Sequence, residues 1–356
     1  MQKNLSILCC LTTLTFSTFP AYAQQSVEAC VMQQFASGNA NLTLADIRKL
    51  CGDQTYVEGN VEGASEGNSE GNSEEEVNIV TKSNTSTGAI SNRRTQERQT
   101  EFEPYVITPH KMNYVLPALT TTAINKGAYS DFNGYEDNLA NVEAKLQLSL
   151  KVPLNPNSMF IEGDGLYFGF TIQAWWQIYA DNISKPFRET NYQPELFYYA
   201  PLDWQPLGGN TSIVLGVEHQ SNGQAQNLSR SWNRIYTNFL YEKDNFALSF
   251  RPWVRITEDE KIDQFDPKGD DNPDIDDYLG HFQLGMVYQW KDFEFSARGR
   301  QNFATHKGSA EFGLTFPLWG KLRGYATTFT GYGESLIDYN YNQTRFGLGI
   351  ALNNVL

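Results

Sequence analysis

From about residue 105 onward, apolar and polar residues alternate in short segments separated by clusters of Gly, Asn, Asp and Pro. Side chains at positions i and i+2 of a β-strand share a face, so each segment predicts a strand with one apolar and one polar face. One segment carries Ala144, Leu146, Leu148, Leu150 and Val152 at alternate positions. About twelve such segments occur, near residues 106–117, 142–153, 165–178, 192–201, 212–221, 233–241, 246–256, 280–290, 293–302, 309–317, 322–331 and 343–353.

The length and even number of these segments favour a membrane barrel over a soluble sheet. A β-sandwich also alternates, but its strands average about 5–6 residues, whereas these segments run to roughly ten or more. Aromatic residues make up 13% of the chain, which fits either a packed core or the aromatic girdles of a barrel. The fold class predicted is therefore all-β: a twelve-stranded antiparallel transmembrane β-barrel over residues 105–356, preceded by an N-terminal disordered or short helical extension.

The first 23 residues have the pattern of a secretory signal peptide. A basic start precedes a mostly apolar stretch over residues 5–19, and an A-x-A site stands directly before Gln24. A lipoprotein signal at Cys9 or Cys10 is the alternative, but neither cysteine follows a small residue. We expect an exported protein whose signal peptide spans residues 1–23.

Residues 24–56 form a small segment with two cysteines, Cys30 and Cys51, around a short stretch that favours helix. In an oxidising compartment the two thiols are expected to form one disulfide. Two unpaired thiols are the alternative.

Residues 57–104 are predicted to be an acidic, low-complexity linker, because their repeated Gly, Ser, Asn and Glu cannot bury enough apolar surface to fold. The whole chain has a formal charge of −14, which argues against a nucleic-acid partner.

The segment most informative about function runs from Ile213 to Asn233. On a strand over 213–221, His219 and Ser221 share the apolar face with Ile213, Leu215 and Val217, and in a barrel that face points to lipid. The next strand begins near Asn233 and returns, so that Asn233 can lie across the hairpin from His219.

These three residue types can carry out nucleophilic catalysis. A serine hydroxyl needs a base to take its proton, and the base works best when a third group fixes its tautomer. An asparagine can do so without placing a carboxylate charge in a low-dielectric wall. Polar groups on a lipid-facing surface are costly and tend to be functional, although a polar pair at the membrane boundary is the simpler interpretation of a lone His-x-Ser.

Several motifs, in order, resemble outer membrane phospholipase A over about residues 105–356. They are Trp175-Trp176-Gln177, Pro186-Phe187-Arg188-Glu189-Thr190-Asn191-Tyr192, His219-Gln220-Ser221-Asn222-Gly223, Ser229-Arg230-Ser231-Trp232-Asn233-Arg234, Asp270-Asp271-Asn272-Pro273-Asp274-Ile275 and the run from Gly331 to Asn340. The likeness implies an outer-membrane barrel of a Gram-negative bacterium. It also implies hydrolysis of sn-1 and sn-2 acyl esters of phospholipids and lysophospholipids.

The same resemblance implies roles for individual residues. Ser221 corresponds to the nucleophile, His219 to the base, Asn233 to the group that orients it, and the Gly223 backbone N–H to an oxyanion donor. The family's active form is a calcium-bound homodimer, and the implied Ca²⁺ ligands are the Ser229 hydroxyl, the Gln224 carbonyl, Ser184 at the dimer interface and, in the monomer, Asp271.

Two positions shortly after Ser221 depart from the family pattern. Gln224 stands where a basic residue is usual, and only its carbonyl is required. Gln226 stands where an acidic residue is expected, which weakens the monomer calcium site.

Two alternatives to this enzyme remain. One is a porin-like or adhesive barrel without chemistry, although twelve strands with large inward side chains leave little room for a channel. The other assigns the 24–100 extension a periplasmic binding role.

Overall fold

The computed structural model describes residues 88–132, 134–263, 266, 269–320 and 322–354. Two α-helices occur in this part of the chain, α1 (Ala89–Arg98) and α2 (Ile275–Leu279), with single 3-10 turns at Gly127–Tyr129, Glu136–Asn138, Pro206–Gly208 and Gln226–Leu228. The strands are β1 Thr108–Pro109, β2 Tyr114–Thr121, β3 Val142–Pro153, β4 Gly165–Trp176, β5 Phe187–Leu202, β6 Asn210–Ser221, β7 Ser231–Lys243, β8 Phe246–Ile256, β9 Phe282–Trp290, β10 Phe293–Asn302, β11 Lys307–Trp319, β12 Leu322–Gly331 and β13 Gln343–Ala351.

Strands β2 to β13 close into a twelve-stranded antiparallel barrel. Each strand pairs with the next along the chain, and β13 pairs back onto β2. The short strand β1 also pairs with β3, beyond the end of β2. This confirms the predicted fold class. Because β13 pairs back onto β2, each of the twelve strands β2 to β13 has a partner on both sides, which a barrel in lipid requires.

The apolar face of each strand points outward, as the alternation predicts. On β6, Leu215 and Val217 are each 46% exposed, whereas Val214 and Glu218 on the other face are buried. Because the outward side chains would meet lipid tails in a membrane, this exposure belongs to a membrane barrel rather than to a soluble protein.

The first predicted strand, 106–117, is wrong in its bounds. The structure has β1 and β2 end to end along β3, interrupted at residues 110–113. The cause is Asn113, whose side-chain amide takes the place of backbone in the ladder. Its Oδ1 accepts from the Ser149 N–H (2.6 Å) and its Nδ2 donates to the Ser149 carbonyl (3.2 Å).

Ion pairs fill one end of the barrel lumen. The guanidinium of Arg188 contacts Glu143 (3.0 Å) and Asp338 (3.1 Å), and Arg345 contacts Glu143 (2.5 Å) and Glu334 (3.2 Å). All five side chains are at most 3% exposed. Buried charges require such pairing, and here it draws the loop between β12 and β13 into the lumen.

Helix α1 docks on the barrel at the opposite end, where most connections between strands are short. Its first amides have no side-chain cap of their own, and Glu242 of β7 accepts from the N–H groups of Ile90 (2.6 Å) and Ser91 (3.0 Å). Glu97 pairs with Lys151 of β3 at 2.7 Å. A carboxylate at a helix N-terminus satisfies free amides and the helix dipole.

Residues 89–98 therefore form a helix at the end of the segment that the sequence analysis assigned to an acidic linker. The segment has no apolar periodicity, and no α1 side chain is buried, so its helical state depends on partners supplied by the barrel. The signal peptide, the Cys30–Cys51 segment and residues 57–87 lie outside the described residues.

Among the described residues, no helix is long and apolar enough to cross a membrane.

Candidate active site

Strands β6 and β7 bring His219 and Asn233 together on the outer wall. The two residues are direct partners in the antiparallel register. The Nδ1–H of His219 donates to Oδ1 of Asn233 at 2.8 Å. An amide oxygen can only accept, so this contact places the ring proton on Nδ1 and leaves Nε2 free to act as a base.

An ion pair on the lumen side supports the same hairpin. Glu218 and Arg234, which precede His219 and follow Asn233 in sequence, are register partners and form a salt bridge. Arg251 of β8 contacts Glu218 at 2.6 Å. Opposite charges on facing strands favour one register, and this register is the one that sets His219 opposite Asn233.

Ser221 is the last residue of β6, on the same face as His219 and half-buried. Its register partners are Tyr192 of β5 and Ser231 of β7. Within the part of the chain that the structure describes, no hydrogen bond joins the Ser221 hydroxyl to His219. Catalytic hydrogen bonds are often long in enzymes without substrate.

A shallow groove of about 250 Å³ lies on the outer wall beside His219 and Asn233. Its apolar lining consists of outward side chains of β4, β5, β6 and β8: Phe168, Pro194, Leu196, Val217 and Ile256. The two polar side chains thus stand at the edge of an apolar surface.

The loop after Ser221 is organised by the buried side chain of Asn222, which is 1% exposed. Its Oδ1 accepts from the N–H groups of Arg230 (2.9 Å) and Gln224 (3.3 Å), and its Nδ2 donates to the Leu228 carbonyl (2.7 Å). One amide therefore closes the loop over residues 222–230 by pairing backbone groups that would otherwise be unpaired.

Gly223 has a φ of +64°, in the left-handed region that favours glycine. A Cβ there would stand 3.3 Å from Tyr192 Cε2. Glycine thus allows the backbone to turn sharply one residue beyond the Ser221–Asn222 bond.

The structure brings only two of the four sequence-predicted calcium ligands together. The Ser229 hydroxyl donates to Oδ2 of Asp271 at 2.8 Å. Ser184 and Gln224 are exposed, and within the described residues Ser184 makes no hydrogen bond to Gln224, Ser229 or Asp271. The same part of the chain has no cluster of three or more His, Cys, Asp or Glu side chains suited to a metal.

Asp271 is already engaged by other partners. Its Oδ1 forms an ion pair with the ammonium of Lys261, and its Oδ2 also accepts from Ser231 at 3.2 Å. Lys261 therefore neutralises a carboxylate that the resemblance assigned to calcium.

Sequence reasoning gave no role to three side chains that contact the site. Asn222 lies inside a quoted motif, and its position between Ser221 and Gly223 could have drawn attention to it. Glu189, buried in the lumen, accepts from Asn222 Nδ2 at 3.3 Å. Glu258, beyond the end of β8, accepts a hydrogen bond from Asn233 Nδ2 at 2.5 Å. No sequence pattern predicts that contact.

Comparisons with family models and with known proteins all point to the same family. A family model described as Phospholipase A1 matches residues 90–352. Phospholipase A1 of Escherichia coli K12 and that of Salmonella typhimurium are each 38% identical over 263 residues, covering 72% of this chain and 85% of theirs.

Solved structures of similar fold belong to the same family. Outer membrane phospholipase A from Escherichia coli shares 36% identity with a TM-score of 0.67, covering 74% of this chain and 98% of that one. The Salmonella typhi outer membrane phospholipase dimer with bound calcium shares 37% identity with a TM-score of 0.65, covering 73% and 97%. These matches confirm the resemblance, the enzyme class and the outer-membrane location, and the chain belongs to the phospholipase A1 family of outer-membrane β-barrel enzymes.

Proposed function

We propose that this phospholipase hydrolyses sn-1 and sn-2 acyl esters of phospholipids and lysophospholipids at Ser221 on the lipid-facing wall. The observation that carries the proposal is the 2.8 Å hydrogen bond from His219 Nδ1 to Asn233 Oδ1, two residues along the same face from Ser221. It leaves His219 Nε2 on the side of the ring away from Asn233, as a free base.

In this mechanism Ser221 Oγ attacks the ester carbonyl and its proton passes to His219 Nε2. The resulting imidazolium stays hydrogen-bonded to Asn233, and it then protonates the departing glycerol oxygen. Water, deprotonated by the same nitrogen, releases the acyl group from Ser221. The backbone N–H of Gly223 is proposed to donate to the oxyanion.

The outward position of the site suits a substrate that remains in the membrane. The groove beside His219 presents apolar side chains to an acyl chain, while the hydroxyl and imidazole lie at the strand end near the longer loops. Longer loops face the exterior in such barrels, so we place the reaction at the outer leaflet.

We further propose that calcium and a second copy of the chain assist. The Ser229 hydroxyl, the Gln224 carbonyl and a Ser184 hydroxyl are hard oxygen donors of the kind that Ca²⁺ prefers. A bound ion there would supply Lewis-acid stabilisation of the oxyanion. Asp271 does not fit as a free ligand while Lys261 is paired with it. The solved dimer of the Salmonella relative with bound calcium supports both proposals.

Hydrolysis assays on detergent-solubilised protein test this function. Phospholipids labelled in the sn-1 or sn-2 chain, and a lysophospholipid, are supplied with calcium or with a chelator. We expect both positions to be cleaved, Ser221→Ala to abolish release, and the chelator to lower it. Thr237→Ala, an outward hydroxyl on β7, is the matched control and should retain activity. Full activity of Ser221→Ala would refute the nucleophile, and indifference to chelator would refute the role of calcium.

A further inference from the structure

Asn233 has hydrogen-bond partners on both sides. On the β6 side its Oδ1 accepts from His219 Nδ1 at 2.8 Å, and on the β8 side its Nδ2 donates to Oε1 of Glu258 at 2.5 Å. The amide group is thus held between an imidazole and a carboxylate.

The path of the chain after β8 places Glu258 there. Ile256, the last residue of β8, is the register partner of Asn233, and Glu258 follows two residues later. Glu258 is exposed, so it reaches the site from the loop at the rim rather than from the lumen.

The orientation of an asparagine amide decides what the neighbouring histidine can do. The amide oxygen and nitrogen are similar in size, and rotation by half a turn exchanges them. In the orientation observed, Oδ1 accepts the Nδ1 proton of His219 and Nε2 is free. In the rotated one, Nδ2 would donate to Nδ1, the ring proton would sit on Nε2, and the base would be blocked.

A carboxylate accepts hydrogen bonds and does not donate them. Its presence beside the amide therefore favours the orientation in which Nδ2 points to Glu258 and Oδ1 to His219. The rotated amide would set two oxygens against each other.

We propose that Glu258 is a positioning residue for the reaction: it fixes the Asn233 amide and, through it, the tautomer of His219. This inference rests on the proposed Ser221–His219–Asn233 function. Glu258 acts through Asn233 and contacts no reacting atom.

Three substitutions at Glu258 test the role. Glu258→Lys replaces the acceptor with a donor, which favours the rotated amide, and we expect kcat to fall by at least about tenfold with KM little changed, because loss of the correct tautomer is costly in a triad. Glu258→Ala should give a smaller fall. Glu258→Gln retains an acceptor oxygen and should restore kcat to within about threefold of the parent.

The matched control is Asp259→Lys, which makes the same change of charge at the next exposed residue of the loop. It should leave kcat near the parent value. Nitrogen-15 NMR of the His219 ring adds a readout that a purely structural effect would not move. The Nδ1-protonated tautomer is expected in the parent and the Nε2-protonated one in Glu258→Lys.

The outcomes separate this inference from the function on which it rests. Normal kcat and tautomer in Glu258→Lys, with Asn233→Ala inactive, would overturn the positioning role and leave the proposed function standing. An equal loss in Asp259→Lys would also overturn it, because the effect would then be one of loop charge. Full activity of Asn233→Ala would overturn both.

Discussion

His219 stands directly opposite Asn233 in the register of β6 and β7, and its Nδ1–H donates to the asparagine oxygen across 2.8 Å. A shift of the register by one residue would turn one of the two side chains into the lumen. The buried Glu218–Arg234 pair on the other face favours the register observed. The arrangement on the outer wall therefore depends on an ion pair inside the barrel.

Asn222→Ala is expected to loosen the loop that follows Ser221. The substitution removes an amide that pairs with three backbone groups of residues 224–230, and each buried group left unpaired costs about 1–3 kcal/mol. We expect activity to fall at least about tenfold, with faster hydrogen exchange confined to this loop. Asn227→Ala, an exposed position in the loop, is the control. Unchanged exchange in the Asn222 variant would contradict this account.

Gly223→Ala should lower activity by more than the loss of stability that it causes can explain. The residue has a φ of +64° and little space beside Tyr192, and a non-glycine residue in this region costs about 1–2 kcal/mol. Gly208, with a φ of +75° in a turn between β5 and β6 at the other end of the barrel, offers a matched change. We expect Gly208→Ala and Gly223→Ala to lower Tm similarly, but only Gly223→Ala to reduce hydrolysis. Equal activities would argue against an oxyanion role.

Lys261→Met is expected to strengthen calcium binding. Removing the ammonium leaves Oδ1 of the Asp271 carboxylate without its ion-pair partner. A partly exposed ion pair contributes about 1 kcal/mol, so the gain should be severalfold. Calorimetric titration with calcium measures it, and Lys126→Met makes the same charge change on another loop at that end. Equal affinities in the two variants would show that Lys261 does not compete with calcium.

Docking of α1 should weaken in acid. Partial desolvation against the barrel raises the pKa of Glu97, but the nearby charges of Lys151 and Arg93 lower it by more, so that the pKa lies below the ordinary 4.5. A lowered pKa means that the ionised form is the one stabilised, so its contribution is complete above about pH 4.5 and is lost as the pH falls through the folded-state value. We expect hydrogen exchange in α1 to accelerate over that range.

Glu97→Gln should release the helix at neutral pH, detected as faster tryptic cleavage after Arg94 and Arg98. Glu103→Gln, at an exposed position beyond the helix, is its control. Equal cleavage of the two variants would mean that the Glu97 carboxylate does not hold α1.

Alternation along the chain was enough to predict the wall of the barrel. It put His219 and Ser221 outward with Leu215 and Val217 because a strand repeats every two residues, whatever its partners are. The bounds of the first strand differ from the prediction because the Asn113 side chain replaces backbone in the ladder. Such a replacement does not change the alternation of apolar and polar residues.

The contacts that complete the site come from loops and could not be predicted in this way. Glu258 reaches Asn233, and Lys261 reaches Asp271, because of the path that the chain takes after β8. The path of this loop depends on contacts that form only when the barrel closes, and not on the local pattern of hydrophobic residues. Helix α1 was missed for a related reason, since Glu242, its capping group, lies about 150 residues away in the sequence.

Covalent trapping tests whether Ser221 is an activated nucleophile on the outer wall. The detergent-solubilised parent is treated with an alkyl sulfonyl fluoride, which reacts with activated serines, and the modified peptide is identified by mass spectrometry. We expect a single adduct, on Ser221, which forms in step with the loss of hydrolysis and forms much more slowly in His219→Ala. An adduct on another serine that accompanies the loss of hydrolysis, or full loss with Ser221 unmodified, would contradict it.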